Sequence, residues 1–296
     1  TTSASPALGV FRGSGLPDQV SQYETWLGKP VGYVVDFVGR TDLASSAPWE
    51  KIDNPAWWCN QWASRPWQLV LSTAMLPNAN FSLAGGARGD YDAHWKSFGT
   101  TLVARGCADA VLRLGWEFNA KYYPWIAGGQ ESTFAAYWRR MVDVLRAVPG
   151  ADFRFDWTPL AGVNNANVEA AYPGDAYVDI IGLDAYDTSR FTDPNARWDD
   201  QVNRVYGLEW QRKFALAHGK PMSLPEWGLS VRYADDLGGG DNPTYITKMW
   251  EWINTHDYLY TSYFEVDAVN AAHRLMADQF PKSSAEYRRL VSGTSS

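Results

Sequence analysis

Residues 31–38 read Val-Gly-Tyr-Val-Val-Asp-Phe-Val, an apolar run that starts after Pro30 and stops before Gly39. A short apolar run between turn residues predicts a buried β-strand. Seven similar runs recur along the chain, and the segments between them have helical spacing. The eight predicted strands are 7–12, 31–38, 67–74, 110–116, 152–158, 177–184, 221–226 and 258–265.

Three of the intervening segments carry apolar residues at the period of an amphipathic helix. In the longest of them, Val202, Val205 and Leu208 define the predicted buried face. Asn242-Pro243 predicts a helix N-terminus, because asparagine caps a helix and proline suits its first turn. The predicted helices are 90–105, 132–147, 198–218, which ends at Gly219, and 243–256.

Strands that alternate with helices predict parallel β/α units. Eight such units in 296 residues match a (β/α)₈ TIM barrel, an α/β fold. An open doubly wound sheet is the alternative, but no glycine-rich dinucleotide or phosphate motif follows a predicted strand. Without a linker or an internal repeat, the whole chain, residues 1–296, is predicted to form a single catalytic domain.

Composition and charge exclude several classes of function. The 46% hydrophobic share supplies a large core, and the net charge of −7 argues against nucleic acid or an anionic membrane as a partner. No apolar run reaches the roughly 18 to 20 residues of a membrane helix. The segment 1–6 has no targeting signal, so we expect a secreted protein, monomeric, whose signal peptide is not part of this sequence.

The aromatic content is high, with 16 Trp, 16 Tyr and 12 Phe. Indole and phenol rings offer broad faces on which the C–H faces of sugar rings stack. The excess therefore indicates a carbohydrate-binding protein, with a tryptophan-rich core as the alternative. We expect a polysaccharide or oligosaccharide as the partner.

The cysteines and histidines predict no metal or cofactor. Cys59 and Cys107 form no CxxC pair, and the four histidines form no HExxH motif or other closely spaced ligand pair. One disulfide in a secreted protein and two buried free thiols fit these cysteines equally well.

Two predicted strands end in glutamate, at the side of the barrel where active sites form. Glu117 follows strand 110–116, and Glu226 ends strand 221–226. Side chains alternate along a strand, so Arg113 shares a face with Glu117. If both faces point inward, the two carboxylates meet at the barrel mouth, whereas either glutamate alone could be an ordinary solvated residue.

A close pair of carboxyl groups is the equipment of a retaining glycosidase, in which one is protonated and the other is ionised. Arg113 is the cation available to keep one carboxylate ionised. Trp116, Phe118 and Trp227 could exclude water and keep the other protonated. An inverting glycosidase or a polysaccharide lyase remains an alternative.

Four motifs, in order, resemble glycoside hydrolase family 26, a family of retaining clan A barrels that are chiefly β-mannanases. The segment 112–119 (LRLGWEFN), followed by Tyr122, Tyr123 and Trp125, resembles the family's acid/base segment, and 225–228 (PEWG) resembles its nucleophile segment. Between them, 156–159 (DWTP) resembles the motif of the fifth strand, and 172–175 (YPGD) together with 178–186 (VDIIGLDAY) resembles one further motif, which ends at the sixth strand.

The resemblance implies that Glu117 is the acid/base, that Glu226 is the nucleophile and that Tyr186 orients Glu226. A core tyrosine is the alternative for Tyr186. The residues expected to bind substrate are Arg113, Trp116, Asn119, Tyr123, Trp125, Trp157, Asp184, Tyr186 and Trp227.

The resemblance also implies a retaining endo-β-glycanase, with β-1,4-mannan as the best substrate. Trp116 stands where the family typically has histidine, which keeps β-glucan, xylan and microbial exopolysaccharides as alternatives, together with a non-catalytic carbohydrate-binding barrel. Strand alternation turns Trp116 away from the cleft unless the strand end bends, and we expect the bend. The glycine-rich segment 235–241 fits either a cleft rim or a plain surface loop.

Overall fold

Eight parallel strands pair in a closed ring. The ring closes because the eighth barrel strand is hydrogen-bonded both to the seventh and to the first. The computed structural model describes residues 6–293; residues 1–5 and 294–296 of the predicted domain lie outside the described residues. The barrel strands are β1 (Ala7–Phe11), β2 (Tyr33–Val38), β3 (Gln68–Thr73), β4 (Val111–Leu114), β5 (Arg154–Trp157), β6 (Ile180–Gly182), β8 (Met222–Gly228) and β10 (Tyr258–Phe264).

The predicted (β/α)₈ barrel is confirmed, and all eight predicted strands are present. Three short strands lie at the carboxyl ends of the barrel strands: β7 (Ala185–Tyr186), β9 (Val231–Arg232) and β11 (Ala271–Ala272). Strand β7 extends the edge of β8, and β9 pairs antiparallel with β11. These additions build up the rim above the seventh and eighth barrel strands.

Helices cover the outside of the ring. They are α1 (Pro17–Leu27), α2 (Glu50–Asp53), α3 (Ala56–Trp62), α4 (Leu83–Arg88), α5 (Asp92–Ala104), α6 (Glu131–Arg146), α7 (Pro194–Asn203), α8 (Leu208–His218), α9 (Pro243–Thr255) and α10 (Pro281–Ser292). Asn242 caps α9 as predicted, since its side chain accepts from the Tyr245 N–H at 3.2 Å. Within residues 6–293, none of the helices combines the length and apolarity needed to cross a membrane.

The single helix predicted for 198–218 is wrong. The chain forms α7 and α8 instead, joined by 204–207, where Tyr206 has a φ of +49°. Gly207 lies so close to the carbonyl oxygens of Gln201 and Val202 that a side chain there would overlap them. Val205 falls in this link and is exposed, so the predicted apolar face is interrupted.

The barrel interior is packed in layers. Val35, Val70, Val111 and Ile180 form an apolar cluster separate from the larger core between sheet and helices. Nearby, Asp156 accepts hydrogen bonds from three buried hydroxyls, those of Thr158 at 2.8 Å, Ser223 at 2.6 Å and Tyr260 at 2.7 Å. These bonds satisfy a buried carboxyl group inside the barrel.

A disulfide joins Cys59 in α3 to Cys107, which lies between α5 and β4. Of the two alternatives, the structure therefore supports the disulfide over free thiols. Both cysteines are buried, and the bond ties the second β/α connection to the third.

We expect removal of this disulfide to destabilise the barrel. The bond spans a sequence separation of 48 residues, and closing a loop of that size lowers the entropy of the unfolded chain by an amount worth about 4 kcal/mol. The double variant Cys59→Ser/Cys107→Ser should lose up to that free energy of unfolding, measured by urea denaturation. Reductant should lower the urea midpoint of the wild type only. An unchanged midpoint in the double variant would contradict the prediction.

Candidate active site

The end of β4 bends sharply and thereby aims Glu117. Strand β4 stops at Leu114, and both Gly115 and Glu117 have positive φ values, of 53° and 52°. A Cβ on Gly115 would overlap the Sδ of the buried Met75, so only glycine fits. Glu117 holds a left-handed conformation that costs a non-glycine residue roughly 1–2 kcal/mol. Such strain is typical of functional sites.

This bend also decides the direction of Trp116. Because strand alternation ends at Gly115, Trp116 does not face the helices but lines the barrel mouth, as expected. Its indole packs edge-on against Phe37, with ring centroids 5.3 Å apart. Its Nε1 donates to the hydroxyl of Tyr123 at 3.0 Å. Trp116 and Tyr123 therefore form one connected aromatic wall.

Glu226 is held from two sides near the end of β8. The Nη1 of Arg113 donates to Oε1 at 2.7 Å, and the Tyr186 hydroxyl donates to Oε2 at 2.7 Å. Arg113 is fully buried and also donates to Asp184 and, at 3.0 Å, to the hydroxyl of Ser72. Arg113 thus contacts Glu226 as a positioning group beneath the cleft, with no exposed surface for substrate.

Glu117 and Glu226 face one another. One carboxylate oxygen from each, together with one from Asp184, lies within 4.8 Å of the others. Burial and the negative charge of Glu226 raise the pKa of Glu117 to about 7, although Arg113 and the Tyr122 hydroxyl oppose the rise. Glu117 is therefore protonated in mildly acidic solution, whereas Glu226 forms an ion pair with Arg113.

The same three carboxylates have a spacing that a metal ion could bridge. Arg113 already forms ion pairs with two of them, Asp184 and Glu226. With Glu117 protonated, the cluster has little excess negative charge left to attract a cation. The chemistry that fits this donor set is therefore acid/base and nucleophilic.

Two cavities open at the mouth on either side of Tyr122 and Tyr123. One, of about 840 Å³, contains Glu117 and Glu226 together with Tyr186 and His273. The other, of about 880 Å³, is lined by Phe37, Arg40 and Trp116. Leu237 lines the first cavity, so the glycine-rich segment 235–241 belongs to the cleft rim.

Besides Arg113, five residues expected to bind substrate are buried in the protein, with at most 1% of their surface exposed: Asn119, Trp125, Trp157, Asp184 and Trp227. The structure gives none of them a surface for a sugar. Asp184 lies under the cleft as the ion-pair partner of Arg113. The Asn119 amide instead bonds the backbone of Leu160 and Val163, which anchors the loop after β5.

The three buried tryptophans pack in the protein interior and do not line the cleft. Trp157 and Trp227 occupy strand positions that face the helices, where Trp157 packs against Phe118 and Trp227 against Tyr263. Trp125 lies under Tyr123, with parallel rings 4.6 Å apart. Phe118 and Trp227 are therefore not cleft walls, and the water around the glutamates is excluded mainly by Trp116 and the tyrosines.

Some cleft residues were not predicted as site residues. The Tyr122 hydroxyl donates to Glu117 Oε2 at 3.0 Å, and its position five residues after Glu117 in an aromatic run was a usable signal. Ser72, which accepts from Arg113, is the next-to-last residue of β3, so its strand position could have indicated it. Phe264 and His273 lie at and beyond the end of β10, where no motif marks them.

The sequence profile of glycosyl hydrolase family 26 matches residues 108–226, the segment that contains Arg113, Glu117, Tyr186 and Glu226. Over this segment the chain is similar to the family. Outside the matched segment, β1 to β3 and β10 complete the same barrel.

Proteins similar to this chain include a mannan endo-1,4-beta-mannosidase of Bifidobacterium adolescentis, 26% identical over 201 residues, which cover 64% of this chain and 19% of that protein. Endoglucanase H of Acetivibrio thermocellus is 25% identical over 224 residues, covering 70% and 23%. The chain thus spans about a fifth of the length of these curated relatives.

Solved structures share the fold. An endo-beta-1,4-mannanase double mutant of Cellulomonas fimi has a TM-score of 0.69 at 18% identity, over 97% of this chain and 70% of that one. The GH26 beta-mannanase of Bacteroides ovatus has a TM-score of 0.65 at 15% identity, over 97% and 88%. At these identities the likeness establishes the barrel.

Gly115→Ala should damage both stability and the placement of Glu117. The new Cβ meets Met75 and the positive φ is strained, so we expect a loss of about 2 kcal/mol in the free energy of unfolding. Hydrolysis by the folded fraction should fall at least tenfold, because Glu117 shifts with the bend. Urea denaturation and initial rates measure the two effects.

Gly39→Ala is the matched control, because Gly39 has open space around its Cα and no positive φ. It should change the free energy of unfolding by less than about 1 kcal/mol. Equal stability and equal rates in the two variants would show that the bend does not depend on Gly115.

Proposed function

We propose that this protein is a retaining endo-β-glycanase that hydrolyses a polysaccharide by double displacement. The main observation behind this proposal is that Glu117 and Glu226 face each other at the mouth of the barrel, with carboxylate oxygens within 4.8 Å of each other. Both side chains are buried, but their environments differ in the way that such chemistry needs, since the pKa of Glu117 is raised while Glu226 is ion-paired with Arg113.

In the first step, a Glu226 carboxylate oxygen attacks the anomeric carbon while Glu117 gives its proton to the departing glycosidic oxygen. A covalent glycosyl ester forms on Glu226, and the bond to the leaving sugar breaks. In the second step, ionised Glu117 takes a proton from water, the water oxygen attacks the same carbon, and Glu226 leaves as a carboxylate. Arg113 and Tyr186 position Glu226 throughout.

The spacing of the glutamates favours retention over inversion. An inverting enzyme separates its carboxyl groups by roughly 6.5–9.5 Å to admit a water molecule, whereas a retaining pair lies about 5–5.5 Å apart. The two glutamates of this chain match the shorter spacing. NMR detection of a β-configured first product would support the proposal, and an α-configured product would refute it.

We propose β-1,4-mannan as the principal substrate and β-glucan as the second candidate. Similarity to a mannan endo-1,4-beta-mannosidase supports the first, and similarity to an endoglucanase supports the second. Two cavities flanking Tyr122 and Tyr123 suit a chain that extends in both directions from the cleaved bond. Product analysis on mannan, β-glucan, xylan and microbial exopolysaccharides distinguishes these candidates.

We further propose that the protein acts outside the cell. The buried disulfide between Cys59 and Cys107 supports this, because such bonds persist in oxidising compartments.

Glu117→Ala and Glu226→Ala should each lower kcat on polymer by roughly 10²–10⁴-fold or more while the fold is retained. The two variants should respond differently to the leaving group. A dinitrophenyl glycoside needs no proton to depart, so its glycosylation step should survive in Glu117→Ala and fail in Glu226→Ala. Burst kinetics with this substrate measure that step.

The control variant is Glu50→Ala, which removes an exposed carboxylate on α2. It should hydrolyse polymer at the wild-type rate. If either cleft variant retained near-normal activity on polymer, the assignment of its glutamate would be wrong.

Tyr122→Phe should move the alkaline limb of the pH profile. Hydrolysis requires protonated Glu117, so kcat/KM should fall as the pH rises through about 7. The Tyr122 hydroxyl stabilises the ionised form of Glu117 and lowers its pKa. Its removal should raise that pKa and shift the limb to higher pH.

Tyr172→Phe is the matched control, since it removes an equally long hydroxyl–carboxylate bond, 3.0 Å to Asp175, away from the cleft. Its pH profile should overlay that of the wild type. A limb that stayed in place or moved to lower pH in Tyr122→Phe would contradict the assigned role of this hydroxyl.

A further inference from the structure

His273 is a cleft residue to which the proposed mechanism assigns no role. It follows β11 on the rim and lines the cavity that contains both glutamates. Its main chain is fixed, because its N–H donates to Asp267 at 3.0 Å and its carbonyl accepts from the Tyr263 hydroxyl at 2.9 Å. Only 6% of its surface is exposed, so the ring has one defined position.

The partner of one ring nitrogen determines the tautomer. Nδ1 lies 2.7 Å from the carbonyl oxygen of Leu229. A carbonyl oxygen can only accept, so Nδ1 carries the hydrogen. Burial lowers the pKa of His273, although the Leu229 carbonyl and the charges of Glu226 and Asp267 oppose this. In the neutral ring that results, Nε2 carries a lone pair and no hydrogen.

The position of Nε2 makes that lone pair available to a ligand. Within residues 6–293, Nε2 has no hydrogen-bond partner, and the atom is accessible to solvent. The imidazole packs against Tyr186, with ring centroids 4.9 Å apart, and Tyr186 donates its hydroxyl to Glu226. A free acceptor therefore lies one side chain away from the proposed nucleophile.

The neighbouring floor of the mouth cannot supply such an acceptor. Phe11 packs against Phe37 at 4.8 Å and against Phe264 at 5.1 Å, which places three apolar rings in a row from β2 to β10. These rings can stack on a sugar but cannot accept a hydrogen bond from its hydroxyls in their plane. A hydrogen-bond acceptor for the sugar on this side must therefore come from the rim, where His273 lines the cavity together with Ser230 and Asn270.

We propose that His273 is a substrate-binding and specificity-determining residue, whose neutral Nε2 accepts a hydrogen bond from a hydroxyl of the sugar bound beside Glu226. The inference rests on the proposed glycanase function and adds a residue to it. It predicts discrimination against sugars in which that hydroxyl is missing or substituted, because the acceptor would then be left unpaired.

Two substitutions test the roles of the two ring nitrogens separately. His273→Asn places an amide N–H near the position of Nδ1 and so can keep the bond to Leu229, but it leaves nothing at Nε2. His273→Gln reaches the position of Nε2 with an acceptor oxygen and gives up the bond to Leu229. We would measure the melting temperature and the kcat and KM on glucomannan, which contains both mannose and glucose.

We expect His273→Asn to melt near the wild type and to lose roughly tenfold in kcat/KM, as for one hydrogen bond to substrate. His273→Gln should melt lower yet keep kcat/KM within about threefold. If His273→Asn stays within twofold of the wild type, the inference is overturned. It is equally overturned if activity follows the melting temperature in both variants.

A second measurement tests the inference independently of the proposed function. If the wild type hydrolyses no glycan of the panel, the proposed function fails. The ¹⁵N shifts of the His273 imidazole, recorded between pH 6 and 8, then still show which ring nitrogen carries the hydrogen and which can accept one. A neutral ring protonated at Nδ1 supports the inference, and a ring protonated at Nε2 overturns it.

Discussion

The buried guanidinium of Arg113 is the interaction on which the rest of the site depends. It bridges Asp184 and Glu226 in the barrel interior, where both Arg113 and Asp184 are fully buried. Buried ions need close partners, because the loss of hydration costs several kcal/mol per ion. Without Arg113, Asp184 would lose its ion-pair partner in a fully buried position, and Glu226 would keep only the Tyr186 hydroxyl. This residue therefore links the stability of the barrel to its proposed chemistry.

The same cation separates the behaviour of the two glutamates. Glu226 forms an ion pair with Arg113 and accepts a hydrogen bond from Tyr186. Glu117 has no such direct contact; burial and the charge of Glu226 raise its pKa to about 7. The bend at Gly115 maintains this asymmetry, because it directs Glu117 towards the Tyr122 hydroxyl and away from the guanidinium. Backbone strain and charge placement therefore act together.

The aromatic residues serve two purposes that composition does not distinguish. Trp125, Trp157 and Trp227 are buried in packing layers. Trp116, with Tyr123, faces the mouth. A tryptophan excess therefore indicated a carbohydrate-binding protein, while it could not indicate which rings meet the sugar. Strand position decided that: residues next to inward-facing groups turn to the helices, unless a bend such as that at Gly115 intervenes.

The sequence by itself determined the barrel, its eight strands and the two strand-end glutamates, because apolar runs, helical spacing and alternation are local properties of the chain. Arg113 could be assigned to the face of Glu117, yet its bonds to Glu226 and Asp184 join strands far apart in sequence. The break at Tyr206 and the burial of Asn119 and Asp184 likewise required the folded chain. His273 carried no local signal, since its tautomer depends on a carbonyl 44 residues away. Tertiary structure decided these points because they depend on which strand ends become neighbours when the ring closes.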